Sequence, residues 1–126
     1  MKIKDILEIV NGETVYVSDP HVYEIDFQDA FASDLMSDAL CHLRDADETE
    51  LLITGLANMQ IFHTANTLDL AAILIVRGET IDEHLIQGAK MSNISVFTTK
   101  YTMYQTCGRL YGKGLGNEKN ISCDER

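Results

Sequence analysis

The segment LLITGLANMQIFHTANTLDLAAILIVRG, residues 51–78, decides the fold that this chain can adopt. Residues 51–54 and 71–76 form two nearly continuous apolar runs, which are typical of strands covered on both faces of a sheet. Gly55 and Gly78 end the two runs. Between the runs, apolar residues recur at helical spacing, at Ile61, Phe62, Ala65 and Leu68. The segment therefore predicts a right-handed β–α–β unit with two buried parallel strands.

The length and composition of the chain predict one globular domain. The chain has 126 residues, of which 45% are hydrophobic and one is proline, and a domain of this size can bury most of its apolar surface. We expect an α/β domain over residues 1–115 and a disordered polar tail over residues 116–126. No apolar run approaches the roughly 20 residues of a membrane span, and the N-terminal residues lack a secretory cleavage site. We therefore expect a cytoplasmic protein.

The remaining patterns add further strands and helices to this unit. Residues 22–27 alternate in two phases, Val22, Glu24 and Asp26 against Tyr23, Ile25 and Phe27, which predicts a half-exposed strand at a sheet edge. The other predicted elements are a helix over 3–10, a strand over 14–17, a helix capped by Ser33 or Asp34 with Leu35 and Leu40 in its apolar stripe, a helix opened by a capping box at 80–83, a strand over 94–98, and a helix opened by a capping box at 102–105. Together they predict a small layered α/β fold with a mostly parallel sheet and helices on both faces.

The charge of the chain is unevenly distributed. The net charge is −10, and residues 5–38 contain nine acidic residues and no Lys or Arg. Such a surface repels phosphate backbones, so we do not expect nucleic-acid binding. The basic residues gather late in the chain, at Lys100, Arg109, Lys113 and Lys119. This asymmetry either steers a partner or a second copy of the chain, or is only the solvated surface of the domain.

No motif in the sequence indicates a catalytic or metal site. Cys41, Cys107 and Cys123 form no C-x-x-C pair, so we expect neither a disulfide framework nor an iron–sulfur or zinc site, and we expect Cys41 and Cys107 to be small core residues. No P-loop, G-x-G-x-x-G after a strand, G-x-S-x-G or H-E-x-x-H sequence occurs. The acidic residues Glu24, Asp26, Asp29, Asp34 and Asp38 could hold a divalent cation, but their spacing matches no known loop. We therefore expect no enzyme, no metal and no cofactor.

The carboxyl ends of the predicted parallel strands are the place where a ligand could bind. In open parallel sheets, ligands bind at this edge, and helix N-termini there offer free N–H groups to anions. The residues at these ends that could bind a small anion such as a nucleotide phosphate are Thr54, Gly55, Asn58, Arg77, Gly78, Thr98 and Thr99. The same residue types also end strands and begin helices in any α/β protein, so a purely structural role is the alternative.

Several strings of the sequence resemble those of stand-alone DRTGG-domain proteins of anaerobic bacteria. The strings are Phe31–Asp38, Leu52–Leu56 with Asn58 and Gln60, Val76–Gly78, Thr99–Tyr104 and Cys107–Tyr111. The resemblance covers nearly the whole domain, from about Ile3 to Leu115. It implies a compact α/β fold similar to the N-terminal domain of HPr kinase/phosphorylase, without the kinase site.

The resemblance also implies a function. DRTGG domains occur beside CBS domains in regulated pyrophosphatases and in some phosphotransacetylases, as regulatory or dimerising modules, and stand-alone members often lie near genes for iron-only hydrogenases and sensor kinases. We therefore expect a non-catalytic regulatory module that forms a homodimer and senses a small anionic ligand such as a nucleotide. The first alternative is an interaction subunit that docks on a hydrogenase or signalling-kinase partner. The second, a small hydrolase or transferase, lacks a base or nucleophile in the sequence.

Overall fold

A computed structural model describes residues 1–116 of the chain. The helices are α1 (Ile3–Val10), α2 (Met36–His42), α3 (Met59–Thr67), α4 (Glu83–Met91) and α5 (Met103–Gly112). The strands are β1 (Glu13–Tyr16), β2 (Asp29–Ala32), β3 (Glu50–Thr54), β4 (Ala72–Ile75) and β5 (Ser95–Thr98), and a 3₁₀ helix spans Pro20–Glu24. Except for Gly116, the predicted disordered tail lies outside the described residues, and so does Cys123.

The five strands form one sheet in the order β1-β5-β4-β3-β2. Strands β2 to β5 are parallel neighbours, and β1 pairs with β5 in the antiparallel direction. The predicted β–α–β unit is β3-α3-β4, in which Leu52 is paired with Ile73 and Thr54 with Ile75. The expected α/β fold with a mostly parallel sheet is confirmed.

The helices cover both faces of the sheet, as the continuous apolar runs predicted. Residues of α2, α3 and α4 pack on one face, against Leu52, Ile73 and Val96. The helices α1 and α5 and the 3₁₀ helix pack on the other face, where Leu51 and Phe97 are buried. Because consecutive strand residues point to opposite faces, the central strands are apolar at most positions, and β4 is apolar at all four.

The strand predicted over residues 22–27 is wrong. Pro20 starts a 3₁₀ helix there, and the carboxylate of Asp19 accepts a hydrogen bond from the His21 N–H at its N-terminus. Val22 and Ile25 lie three residues apart and are both buried, as one face of a helical turn requires. The edge strand next to β3 is β2 instead, whose sequence DAFA carries no alternation that could have revealed it.

Three local predictions on the helices are also wrong. Helix α2 starts at Met36 without a side-chain cap, and Leu35 and Leu40 are exposed instead of lying in an inward stripe. Helix α4 is capped by Asp82, which accepts from the Leu85 N–H, so residues 80–83 do not form a capping box. Cys41 is exposed rather than a core residue, because it lies two residues from the buried Ala39 and so on the opposite side of α2.

Other local predictions are confirmed. Helix α1 covers Ile3–Val10 and ends at Asn11, whose φ of 51° is left-handed. Thr102 and Gln105 form the reciprocal capping box expected at the start of α5. None of the helices within residues 1–116 has the length and apolar character needed to span a membrane.

Candidate functional site

The ends of the parallel strands bring most of the predicted ligand residues to one edge of the sheet. Thr54 and Thr98 end β3 and β5, which are parallel to β4 and lie on either side of it, so the residues that follow leave the sheet in the same direction. The backbone continues this alignment past the strands, because the Val76 N–H donates to the Thr54 carbonyl at 2.9 Å and the Thr99 N–H donates to the Ile75 carbonyl at 3.0 Å. This common edge is where the sequence placed a ligand site.

A crevice opens on this edge between β4 and β5. The chain leaves β4 toward α4 on one face of the sheet and leaves β5 toward α5 on the other face. Loops that diverge in this way create the crevice in which open α/β sheets bind ligands. A cavity of about 490 Å³ lies there, lined by Asn11, Gly12, Glu13, Gly78, Glu79, Thr80, Thr98, Thr99 and Lys100. We call this cavity the switch-point crevice.

The walls of the switch-point crevice are held in place by Thr99. Its hydroxyl is buried and donates to the Val10 carbonyl at 2.6 Å, which ties the end of α1 to the end of β5. The same oxygen accepts from the Tyr101 N–H at 3.2 Å. On the opposite wall, Gly78 adopts a left-handed φ of 64° and donates its N–H to the Thr99 carbonyl. Thr99 therefore positions the crevice, and other side chains are left to contact a ligand.

Three charged side chains line the switch-point crevice. Glu13, Glu79 and Lys100 all line it, and none of them forms an ion pair with another described residue. A lysine ammonium suits a phosphate group, and carboxylates accept hydrogen bonds from sugar hydroxyls. None of the three is among the residues predicted from the sequence, although Lys100 follows Thr98 and Thr99 directly and could have been included on that ground.

The second group of predicted residues forms a separate cluster around Asp34. One Asp34 carboxylate oxygen accepts from the Gly55 N–H at 2.7 Å and from the Thr54 hydroxyl at 3.3 Å. The other accepts from the Arg77 guanidinium at 3.2 Å. The guanidinium lies against Gly55, where an added Cβ would come within 1.9 Å of Nη2. Thr54, Gly55 and Arg77 therefore already contact an anion, which is the protein's own carboxylate.

Hydrogen bonds keep Asp34 ionised. Partial burial works to raise its pKa, but the hydrogen bond from Gly55 and the hydrogen bond and charge of Arg77 outweigh burial and hold the pKa below its ordinary value. From the sequence, Asp34 was a candidate helix cap. Its actual partners could not be predicted, because they lie about 20 and about 40 residues away and no local pattern indicates them.

The helix N-termini at this edge are occupied by their own caps. Asn58, which the sequence placed in the ligand site, accepts from the Ile61 N–H at 2.9 Å at the start of α3. Asp82 caps α4, and Thr102 and Gln105 cap α5. The positive groups that this edge offers are therefore the side chains of Lys100 and Arg77 more than free helix N–H groups.

Within residues 1–116, no three His, Cys, Asp or Glu side chains are grouped as the ligands of a metal ion would be. Two of the acidic residues that the sequence offered as cation ligands have charged partners here. Asp26 pairs with the N-terminal ammonium and Asp34 pairs with Arg77.

Comparison with known proteins shows a structural likeness. No family model matches the chain, and no curated protein matches it by sequence. A solved structure of the CBS and DRTGG domains of the regulatory region of Clostridium perfringens pyrophosphatase, in complex with its activator diadenosine tetraphosphate, superposes with a TM-score of 0.66. The likeness covers 86% of this chain but 45% of that one, at 18% sequence identity. It supports the expected DRTGG-like fold.

Proposed function

We propose that this protein is a non-catalytic regulatory module that senses a small anionic ligand, such as a nucleotide, in the switch-point crevice. The observation that carries the proposal is the placement of Lys100, Glu13 and Glu79 around a cavity of about 490 Å³ at the ends of β4 and β5. This volume lies within the range of about 300–1,000 Å³ that small-molecule sites occupy. The structural neighbour, a regulatory region that binds a nucleotide activator, is consistent with such a role.

The chemistry of the crevice matches the two parts of a nucleotide. Lys100 supplies a positive charge for a phosphate group, and Thr80 and Thr98 supply hydroxyls beside it. Glu13 and Glu79 supply acceptors for ribose hydroxyls, the role that acidic residues have in dinucleotide-binding sheets. A free inorganic anion would use Lys100, Thr80 and Thr98 but neither glutamate. A nucleoside phosphate therefore fits the lining better than phosphate alone.

The lining of the crevice favours sensing over catalysis. Its side chains are those of Asn, Glu, Thr and Lys residues, and it contains no His or Cys. Its buried threonine, Thr99, uses its hydroxyl to hold the Val10 carbonyl and so is not poised as a nucleophile. A ligand bound there would contact the turn between α1 and β1, the loop after β4 and the end of β5, because each of these segments contributes a wall.

Calorimetric titration with AMP, ATP and diadenosine tetraphosphate tests the proposal. We expect one of these ligands to bind and Lys100→Gln to weaken its binding by about tenfold, the factor that about 1.4 kcal/mol gives. Glu79→Gln should weaken the binding of nucleoside phosphates but not the binding of inorganic phosphate. The matched control is Lys90→Gln, since Lys90 is exposed on α4 and does not line the crevice. Absence of binding at millimolar ligand, or equal losses in both lysine variants, would contradict the proposal.

A second candidate function is an interaction subunit that forms a homodimer or docks on a redox or signalling partner. The observation that favours it is the outer surface of α5, where Tyr104 is 89% exposed and Tyr111 is also exposed. Aromatic residues are enriched at protein interfaces. Arg109 lies on the same helix and Lys113 directly follows it, and residues 84–116 contain no Asp or Glu.

Light scattering at two ionic strengths tests this second candidate. We expect a dimer, or a complex with an acidic partner, that weakens as salt rises because exposed charges are screened. Tyr104→Ala should weaken the association, whereas Tyr23→Ala, an exposed tyrosine in the 3₁₀ helix, should leave it unchanged. A monomer that recognises no partner at either ionic strength would exclude this function.

A further inference from the structure

The cluster around Asp34 has the composition of an anion-binding site. Its three donors are the Arg77 guanidinium, the Gly55 N–H and the Thr54 hydroxyl, and all three point to the carboxylate of Asp34 at distances of 2.7 to 3.3 Å. A cationic fork, a backbone N–H and a hydroxyl are the groups with which proteins hold phosphate. Here they hold a carboxylate that arrives from a different loop, between β2 and α2.

Gly55 is part of this arrangement because of its size. A Cβ at this position would lie 1.9 Å from Nη2 and 2.3 Å from Cζ of Arg77, so any other residue would push the guanidinium off the turn. The φ of Gly55 is not left-handed, so backbone conformation does not require glycine here. The missing side chain therefore serves to let a guanidinium lie directly over the backbone that donates to the anion.

Arg77 is also held in an unusual backbone conformation. Its φ is 68°, in the left-handed region that costs a non-glycine residue about 1 kcal/mol or more. Its N–H donates to the Tyr101 carbonyl at 2.8 Å, which fixes the turn to the loop after β5. Gly78, the next residue, lines the switch-point crevice. The backbone of Arg77 therefore adjoins the proposed nucleotide site, whereas its guanidinium lies over Gly55 at the end of β3.

We infer that Arg77, the Gly55 N–H and the Thr54 hydroxyl form a phosphate-binding site in which Asp34 is a tethered competitor. A phosphate group of the ligand enters this site by displacing the Asp34 carboxylate. This adds a regulated subsite to the nucleotide-sensing edge, so its role in sensing rests on the proposed function. The carboxylate stands in the structure where the phosphate oxygens would lie.

Displacement of Asp34 is feasible on energetic grounds. The side chains of Arg77 and Asp34 are 42% and 40% exposed, so their ion pair is worth little more than a surface pair and the released carboxylate is readily hydrated. A tethered group competes at an effective concentration of the order of millimolar. A phosphate brings more charge and more acceptor oxygens than a carboxylate. A phosphate at millimolar concentration can therefore compete with Asp34.

The neighbouring backbone allows Asp34 to move without unpairing the sheet. The Ser33 N–H donates to the Ile53 carbonyl at 3.0 Å, so β2 stays paired up to the residue before Asp34. After it, Leu35 is exposed and α2 begins without a side-chain cap. Rotation of Asp34 would thus change the start of α2 and leave β2 in place, which gives phosphate binding a structural readout.

The test is titration of the full-length protein with inorganic phosphate, followed by calorimetry and by the amide NMR signal of Gly55. Asp34→Asn and Asp34→Ala should each bind phosphate at least about tenfold more tightly than the wild type, a gain of about 1.4 kcal/mol. The matched control is Asp38→Asn, which removes an exposed acid four residues away with no hydrogen-bonded partner among the described residues. Adding Arg77→Gln to Asp34→Asn should abolish the gain.

Two results would overturn the inference. One is that both folded Asp34 variants bind phosphate no more tightly than Asp38→Asn. The other is that the gain survives Arg77→Gln or leaves the Gly55 signal unchanged. Circular dichroism checks the fold of each variant, and Asp34→Asn keeps the shape of the side chain if Asp34→Ala unfolds. The Lys100→Gln titration with nucleotides reports separately on the crevice, so failure of the proposed nucleotide site and failure of this subsite give different patterns.

Discussion

Gly55→Ala is the substitution that most directly tests the contact between Arg77 and the end of β3. The new Cβ would lie 1.9 Å from Nη2, 2.3 Å from Cζ and 2.7 Å from Nη1 of Arg77. These three nearest atoms all belong to the flexible end of one side chain, and the φ of Gly55 is not left-handed. The substitution should therefore move the guanidinium and leave the backbone in place.

The expected cost follows from what the guanidinium loses. Its ion pair with Asp34 is partly exposed, and such pairs contribute about 0.2–1 kcal/mol. Alanine also reduces the conformational entropy of the unfolded chain, which stabilises the protein by about 0.4–1 kcal/mol. The Gly55 N–H keeps its hydrogen bond to Asp34. The net change in the free energy of unfolding should thus be within about 1 kcal/mol of zero.

Urea unfolding of a double-mutant cycle measures this effect. Arg77→Ala removes the colliding atoms, so Gly55→Ala should be more favourable in that background than in the wild type, with a coupling of about 0.5–1 kcal/mol. Gly12→Ala is the contrasting variant, since its Cβ would lie 2.8 Å from the backbone carbonyl oxygen of Thr98, and it should cost about 1–3 kcal/mol. A loss above about 2 kcal/mol for Gly55→Ala, or no coupling to Arg77, would refute the reasoning.

Three further predictions concern stability. Because the pKa of Asp34 is lowered in the folded state, its carboxylate contributes stability that is present above about pH 4 and is lost as the pH falls through the folded-state pKa. The difference in the free energy of unfolding between wild type and Asp34→Asn, measured in urea, should therefore shrink on acidification. Gly88→Ala places a Cβ 2.2 Å from Sδ of Met59, so the clash should offset the stability that alanine adds to a helix, about 1 kcal/mol. Thermal unfolding should show the full gain only when Met59→Ala is also present. The hydroxyl of Thr106 is buried without a hydrogen-bond partner among the described residues. Thr106→Val removes this unpaired polar group and should therefore raise the melting temperature. A lower melting temperature would show that the hydroxyl has a partner in solution.

The local sequence determined the central elements of this fold. The apolar runs at 51–54 and 71–76 are long enough and apolar enough to require burial on both faces, and the spacing of Ile61, Phe62, Ala65 and Leu68 fits no strand. The capping box at Thr102 and the left-handed Asn11 are also local signals, because each one involves residues within a single turn. Such features survive folding because tertiary packing reinforces them.

Tertiary structure decided the elements with weak or ambiguous patterns. The sequence DAFA of β2 is a strand because β3 offers it a parallel partner, and Pro20–Glu24 form a 3₁₀ helix although the alternation over residues 22–27 fits a strand. Val22 and Ile25 belong to opposite phases of that alternation, and both are buried in the core, which a helical turn allows and a half-exposed strand does not. A short alternating segment therefore carries too little information to fix its own conformation.

The candidate site shows the same division between local sequence and long-range packing. Residues such as Thr54, Gly78 and Thr99 were placed at the ligand edge because parallel strands end together, which depends only on strand direction. The pairing of Asp34 with Arg77 and the crevice beside Lys100 depend on which face of the sheet each helix covers, and so on contacts between residues far apart in the chain. Local sequence determines where strands begin and end, whereas the packing of α4 and α5 on opposite faces decides where the edge opens into a crevice.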